Sequence, residues 1–174
     1  MTTTTIERPR PGEFNAHHAD YVDLVSAGDV LDLLARQPGD LRSMLGSLDA
    51  QRAGHRYAPG KWSIREVIGH LADAERVFSY RGLTVARNDR TALPPFDENA
   101  WVEQSRFDMR ALPDLLAELE QVRASTIDLF RFLSPDELAR VGTASGKPLS
   151  ARAVPYIIAG HTEHHMRILR ERYL

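Results

Sequence analysis

Apolar side chains recur three and four residues apart along most of this chain, the period of helices that each bury one face. Between Asp29 and Leu48 the repeat is Leu31, Leu34, Leu41, Leu45 and Leu48. Pro38 occupies the missing place, and Pro38-Gly39 predicts a kink or two helical pieces, the second starting at Gln37 or Asp40. The next helix has a well-marked start, because Ser63 and Glu66 have capping-box spacing and Trp62 and Val67 flank it as a hydrophobic staple. It is expected to run from Ile64 to Asn88.

Pro94-Pro95 and the polar residues around it make Thr91 to Asn99 a loop lying across the other helices, pinned to the core by Trp101 and Phe107. The third helix carries the most regular stripe: Leu112, Leu115, Leu119, Val122, Thr126, Leu129 and Leu133, with Thr126 its one polar member. Ser134, Pro135 and Glu137 then open a short helix with a second capping box, and Gly142 to Lys147 reads as a polar loop. The last helix begins between Ser150 and Pro155 and continues close to Leu174, with Val154, Ile158, His161, His165, Ile168 and Tyr173 on its inward side. No run of alternating strand residues competes with these patterns. The expected fold is all-α, an up-and-down four-helix bundle with a long crossover loop.

Length and composition narrow this picture. A chain of 174 residues fits one domain, taken as residues 15–174. Residues 1–14 are set apart as a flexible segment, since Met1 to Gly12 holds four consecutive threonines, two prolines and little to bury. That segment lacks the apolar core of a secretory signal, and no apolar run reaches the roughly 18–20 residues of a membrane span, so a cytoplasmic protein is expected. There is no cysteine, which leaves nitrogen and oxygen as the protein's metal ligands and excludes a thiol nucleophile of its own. A net charge of -2, from 22 basic and 24 acidic side chains, gives no general attraction for nucleic acid. Arg167, Arg170 and Arg172 read as a solvated last turn that complements the helix dipole.

The chemistry concentrates in Gly160-His161-Thr162-Glu163-His164-His165. Residues four apart lie one turn apart and roughly 40° around a helix, so His161 and His165 can aim at one ion, while His164 is turned about 100° from His165. Both lie on a stripe where aliphatic residues would be expected, and burying two imidazoles costs free energy unless each nitrogen finds a partner. The plainer alternative for such a pair is one histidine bonded to a carbonyl or carboxylate and the other in water. His70, on the flank of the second helix that can face the last one, supplies a third ligand and favours the metal. Three imidazoles suit zinc, nickel, copper or iron better than magnesium or calcium, and three ligands leave a position for water or substrate. Occupancy is expected to fall below the ordinary histidine pKa of about 6.5.

The blocks Ala58–Glu75 (APGKWSIREVIGHLADAE), Tyr80-Arg-Gly-Leu83 and Ala159–Leu169 (AGHTEHHMRIL) together resemble the DinB/YfiT-like superfamily of metal-dependent enzymes, in its DinB-like branch. The resemblance covers nearly the whole body of the chain. It implies a bundle with a long crossover, a homodimer, and a nickel or zinc site whose ligands fall on His70, His161 and His165. It also implies hydrolases, or transferases and isomerases that use a low-molecular-weight thiol. Thr162 departs from the acidic residue that many relatives carry there.

The expectation is therefore a metal-dependent hydrolase or thiol-dependent transferase acting on a small molecule, with metal-bound water or thiolate as nucleophile. The alternatives are a non-catalytic metal-binding or structural bundle and a metal-free helical interaction protein. Asp73 is a candidate base or ligand-orienting residue, against the simpler reading of a solvated helix charge. Glu66 is expected to be used by its capping box, His164 is either a supporting donor or a surface residue, and His17, His18 and His55 are expected to be exposed in loops.

Overall fold

The computed structural model describes residues 5–174; the part of the expected flexible segment at residues 1–4 lies outside the described residues. Eight α-helices follow in order: α1 (Ala19–Leu24), α2 (Val30–Leu45), α3 (Ala50–Ala53), α4 (Ile64–Ala86), α5 (Glu98–Gln104), α6 (Leu112–Arg131), α7 (Pro135–Ala139) and α8 (Ala153–Arg172). Single 3₁₀ turns occur at Ala16–His18 and Phe107–Met109. The four long helices form the bundle. α4 packs between α6 and α8, α2 packs between the same two, and α1 lies along α8. No helix among the described residues is long and apolar enough to cross a membrane.

Local sequence explains where the helices start. The Ser63 hydroxyl accepts the Glu66 N–H at 3.3 Å and the Glu66 carboxylate accepts the Ser63 N–H at 2.6 Å, so both halves of the box that opens α4 are made. Ser134 and Glu137 open α7 in the same way. α8 starts late, with Arg152 as its N-cap, which places Pro155 in the first turn, where its missing N–H would have had no intrahelical partner.

Several expectations are corrected. α2 runs unbroken through Pro38. Pro38 cannot bond the Leu34 carbonyl, and the Arg123 guanidinium does so instead, Nη1 donating at 2.9 Å. The loop expected at 142–147 is instead part of a hairpin, β1 (Val141–Ala144) against β2 (Lys147–Ser150), that turns at Ser145-Gly146. The crossover, residues 87–111, is tied to it by Leu93, whose N–H donates to the Thr143 carbonyl at 2.9 Å. Phe107 is buried as expected, but Trp101 is 46% exposed and packs at a tilt against Phe96, 5.0 Å between centroids, instead of reaching the core. Ile6 is buried and Arg8 donates to the Val22 and Val25 carbonyls, so the part of the expected flexible segment from residue 5 onward packs on the bundle.

The stripe on α6 is also shifted. Val122 and Leu129 are only half-buried, whereas Arg123, Ile127 and Phe130 point inward. Arg123 is 1% exposed and reaches all three other long helices. Nε donates to both Glu75 oxygens on α4 at 2.8 and 3.0 Å, Nη1 to Gln37 Oε1 on α2 at 2.8 Å, and Nη2 to Thr162 Oγ1 on α8 at 3.0 Å. Gln37 continues the chain by donating to the Ala159 carbonyl at 2.9 Å and to Glu163 at 2.8 Å. This polar layer divides the core into two apolar lobes, one around Leu34, Phe78, Phe130 and Ile157, the other around Leu41, Ile68, Leu119 and Leu169. His161 adjoins Thr162 at the same level.

Candidate metal centre

Two glycines set the position of the histidine helices. A Cβ on Gly69 would lie 2.3 Å from the Phe107 ring, so glycine lets the crossover close on α4 immediately before His70. A Cβ on Gly160 would lie 1.8 Å from the Tyr21 carbonyl oxygen, so α1 can approach α8 only because this position lacks a side chain. That approach brings Tyr21 edge-on to the rings of His161 and His164, at 5.3 and 5.4 Å between centroids.

The structure brings His70, His161 and His165 together. His161 Nε2 lies 3.1 Å from His70 Nε2 and 3.0 Å from His165 Nε2, and one ring nitrogen from each residue lies within 4.8 Å of the other two. Burial lowers the pKa of His70 to about 4. Burial also holds His161 and His165 well below the ordinary value, reinforced at His161 by His165 and His70 and at His165 by His70 and His164. All three are therefore neutral near pH 7.

A neutral Nε2 carries either one hydrogen or one lone pair, so His161 cannot make a good hydrogen bond to both neighbours at once. Three lone pairs directed at a shared cation remove the conflict. Nitrogens held tetrahedrally at ~2.0–2.1 Å from zinc would stand ~3.3 Å apart, close to the 3.1 and 3.0 Å that separate His161 from its two neighbours. The donor set thus fits a borderline transition metal in both chemistry and geometry.

The three rings face a cavity of about 410 Å³. Trp62 covers one side, tilted on His70 at 4.6 Å and nearly parallel to His165 at 6.4 Å. Tyr21, Phe78 and Phe96 supply further aromatic wall, and Arg81, Glu98 and Ser145 supply polar groups. His18, expected to be exposed, lines this cavity as well. Its Nδ1 is buried without a partner, and burial, Arg81 and His17 lower its pKa to about 4. Its role was hidden in the sequence because it depends on α1 docking to α8, a contact between segments more than 130 residues apart that no spacing pattern records.

The remaining candidates separate clearly. His164 is half-buried on the cavity wall, 5.2 Å from the His165 ring, and stands outside the three-nitrogen cluster. Asp73 does not line the cavity; it pairs with Arg76 at 3.2 Å on the outer face of α4. Glu66 is used by its cap and by Arg56, whose Nη2 donates at 2.8 Å. Thr162 donates to the Ile158 carbonyl and accepts from Arg123, and Glu163 accepts from Gln37, so neither is turned toward the histidines. His17 is exposed at the cavity rim, and His55 is exposed beside Tyr173.

The profile of the DinB superfamily matches residues 33–169, which span α2 to α8 and all three histidines. A protein of Geobacillus kaustophilus provisionally named a metal-dependent hydrolase is 26% identical over 146 residues, 80% of this chain and 81% of its own length. A protein of Geobacillus thermodenitrificans with the same provisional name is 28% identical over 139 residues, 74% of this chain and 73% of its own. Among solved structures, YfiT from Bacillus subtilis, described as "a probable metal-dependent hydrolase with an unusual four-helix bundle topology", superposes with a TM-score of 0.74 at 19% identity, covering 94% of this chain and 92% of that one. Profile match and shared bundle agree, and the chain belongs to the DinB superfamily.

Proposed function

We propose that His70, His161 and His165 hold one divalent transition metal ion, zinc or nickel, and that the chain is a metal-dependent hydrolase of a small molecule. The observation that carries this reading is the convergence of three neutral imidazole nitrogens on an open cavity rather than in a closed core. A divalent ion there supplies a Lewis acid able to polarise a substrate oxygen and to lower the pKa of water. A purely structural ion would instead be expected with four protein ligands and no cavity. The names of the Geobacillus relatives support the same reaction class.

The chain's own residues perform the rest. Trp62, Tyr21 and Phe78 shield the three nitrogens from bulk water and offer apolar surface to a substrate. The Arg123 layer holds Thr162 and the backbone of α8 at the height of His161, which fixes the ring positions. His18 stands edge-on to Phe78 at 5.6 Å between ring centroids and adds a neutral imidazole to the cavity wall.

Transfer to a low-molecular-weight thiol is the second reading, and having no cysteine of its own the chain would take that thiol as a cosubstrate. The test is a screen of the metal-loaded protein against ester, amide and electrophilic small molecules, each with and without added thiols. Turnover without thiol that disappears in His161→Ala is the expected result; turnover only with thiol replaces hydrolysis by transfer. We also infer a cytoplasmic homodimer, following the dimeric relatives that the sequence resembles.

A further inference from the structure

Arg81 belongs to a sequence block that the metal reading leaves unused, and its surroundings are unusual for a buried cation. It is 5% exposed, and no carboxylate among the described residues forms an ion pair with it. Arg123, buried to a similar degree, has Glu75 bonded to it through both oxygens. The Arg81 guanidinium lies 5.7 Å from the Phe78 ring centroid and 5.6 Å from that of Phe96. Nη2 donates to the Pro94 carbonyl at 2.7 Å and to Ser145 Oγ at 3.2 Å; Nε and Nη1 donate to no described residue.

A guanidinium does not escape burial by losing its proton, so a buried one without an ion-pair partner carries a desolvation cost that an anion would offset. One hydrogen-bonded nitrogen suffices to tie the crossover to the hairpin, so that task leaves the positive charge and the three N–H donors of Nε and Nη1 without a use. Arg81 lines the same cavity as the three histidines. Phe78 lies between them in contact with both, its ring centroid 6.5 Å from that of His161 and 5.7 Å from the Arg81 guanidinium.

We infer that Arg81 is the recognition residue for a carboxylate group on a small substrate whose reacting part lies against the three histidines. The site favours a single negative charge, because Arg81 is the one arginine or lysine among the described residues that line this cavity. Two aromatic rings within 6 Å of the guanidinium favour a flat, weakly hydrated group over a strongly hydrated phosphate. Locating the substrate's reacting part at the histidines rests on the proposed function; the carboxylate subsite itself does not.

The test uses protein freed of metal, so that a carboxylate cannot bind an ion. Benzoate, its neutral counterpart benzamide and inorganic phosphate are titrated and followed by chemical-shift changes. Benzoate is expected to bind about tenfold more tightly than benzamide, the effect of one charge-assisted hydrogen bond. Arg81→Gln should abolish that preference and Arg81→Lys should keep part of it. Circular dichroism verifies that both variants are folded, and the wild-type comparison stands if either is not. Equal binding of benzoate and benzamide, binding of neither, or tighter binding of phosphate would each overturn the inference. Metal uptake is measured on the same samples: an Arg81-dependent preference without metal uptake retains the subsite and removes the metal reading.

Discussion

At the scale of single residues, burial keeps the three histidines neutral and exacts a cost in stability. In the unfolded chain each titrates near the ordinary value of about 6.5, whereas His70 is lowered to about 4 by burial and His161 and His165 lie well below 6.5. The sign follows: between these values the unfolded state binds protons that the folded state does not, so folding stability falls as pH drops. For His70 the loss begins below 6.5 and is complete near 4. Thermal melts of metal-free protein should show Tm falling from pH 7 to pH 4.5; a flat Tm would contradict the burial account. With His70 lowered to about 4, proton competition at this residue would extend well below the pH 6.5 expected for an unperturbed imidazole.

At the scale of elements, the four long helices meet at Arg123, whose donors satisfy Glu75, Gln37, Thr162 and the carbonyl freed by Pro38. Arg123→Met leaves Glu75 charged and buried without its partner and should destabilise the fold by about 3–5 kcal/mol in urea denaturation. The double variant Arg123→Met with Glu75→Met should regain much of that loss, since it removes the orphaned charge as well. A double variant as unstable as the single one would refute the role given to this pair. The capping boxes at Ser63 and Ser134 were legible because they depend on residues three apart, and the His161–His165 pairing because one helical turn fixes it. Arg123 was not legible: an arginine among leucines reads as surface until its partners on three other helices are known. For the same reason the helix does not divide into two pieces at Pro38, the compensating donor lying 89 positions away from Leu34.

At the scale of the whole molecule, the fold was readable because helical period and the absence of strand patterns exclude other layer arrangements, whereas the packing order of the helices is set by contacts across the chain. The homodimer reading predicts twice the chain mass, 19.6 kDa, in light scattering across a wide range of concentration. A constant monomer mass would contradict it. The account as a whole stands on the three histidines, and the most direct measurement is calorimetric titration of zinc and of nickel into metal-free wild-type protein and four single variants. One equivalent per chain is predicted for the wild type and for His164→Ala, with stoichiometric binding lost in His70→Ala, His161→Ala and His165→Ala. Binding that survives in any of those three, or that depends on His164 instead of His165, would contradict the proposed ligand set.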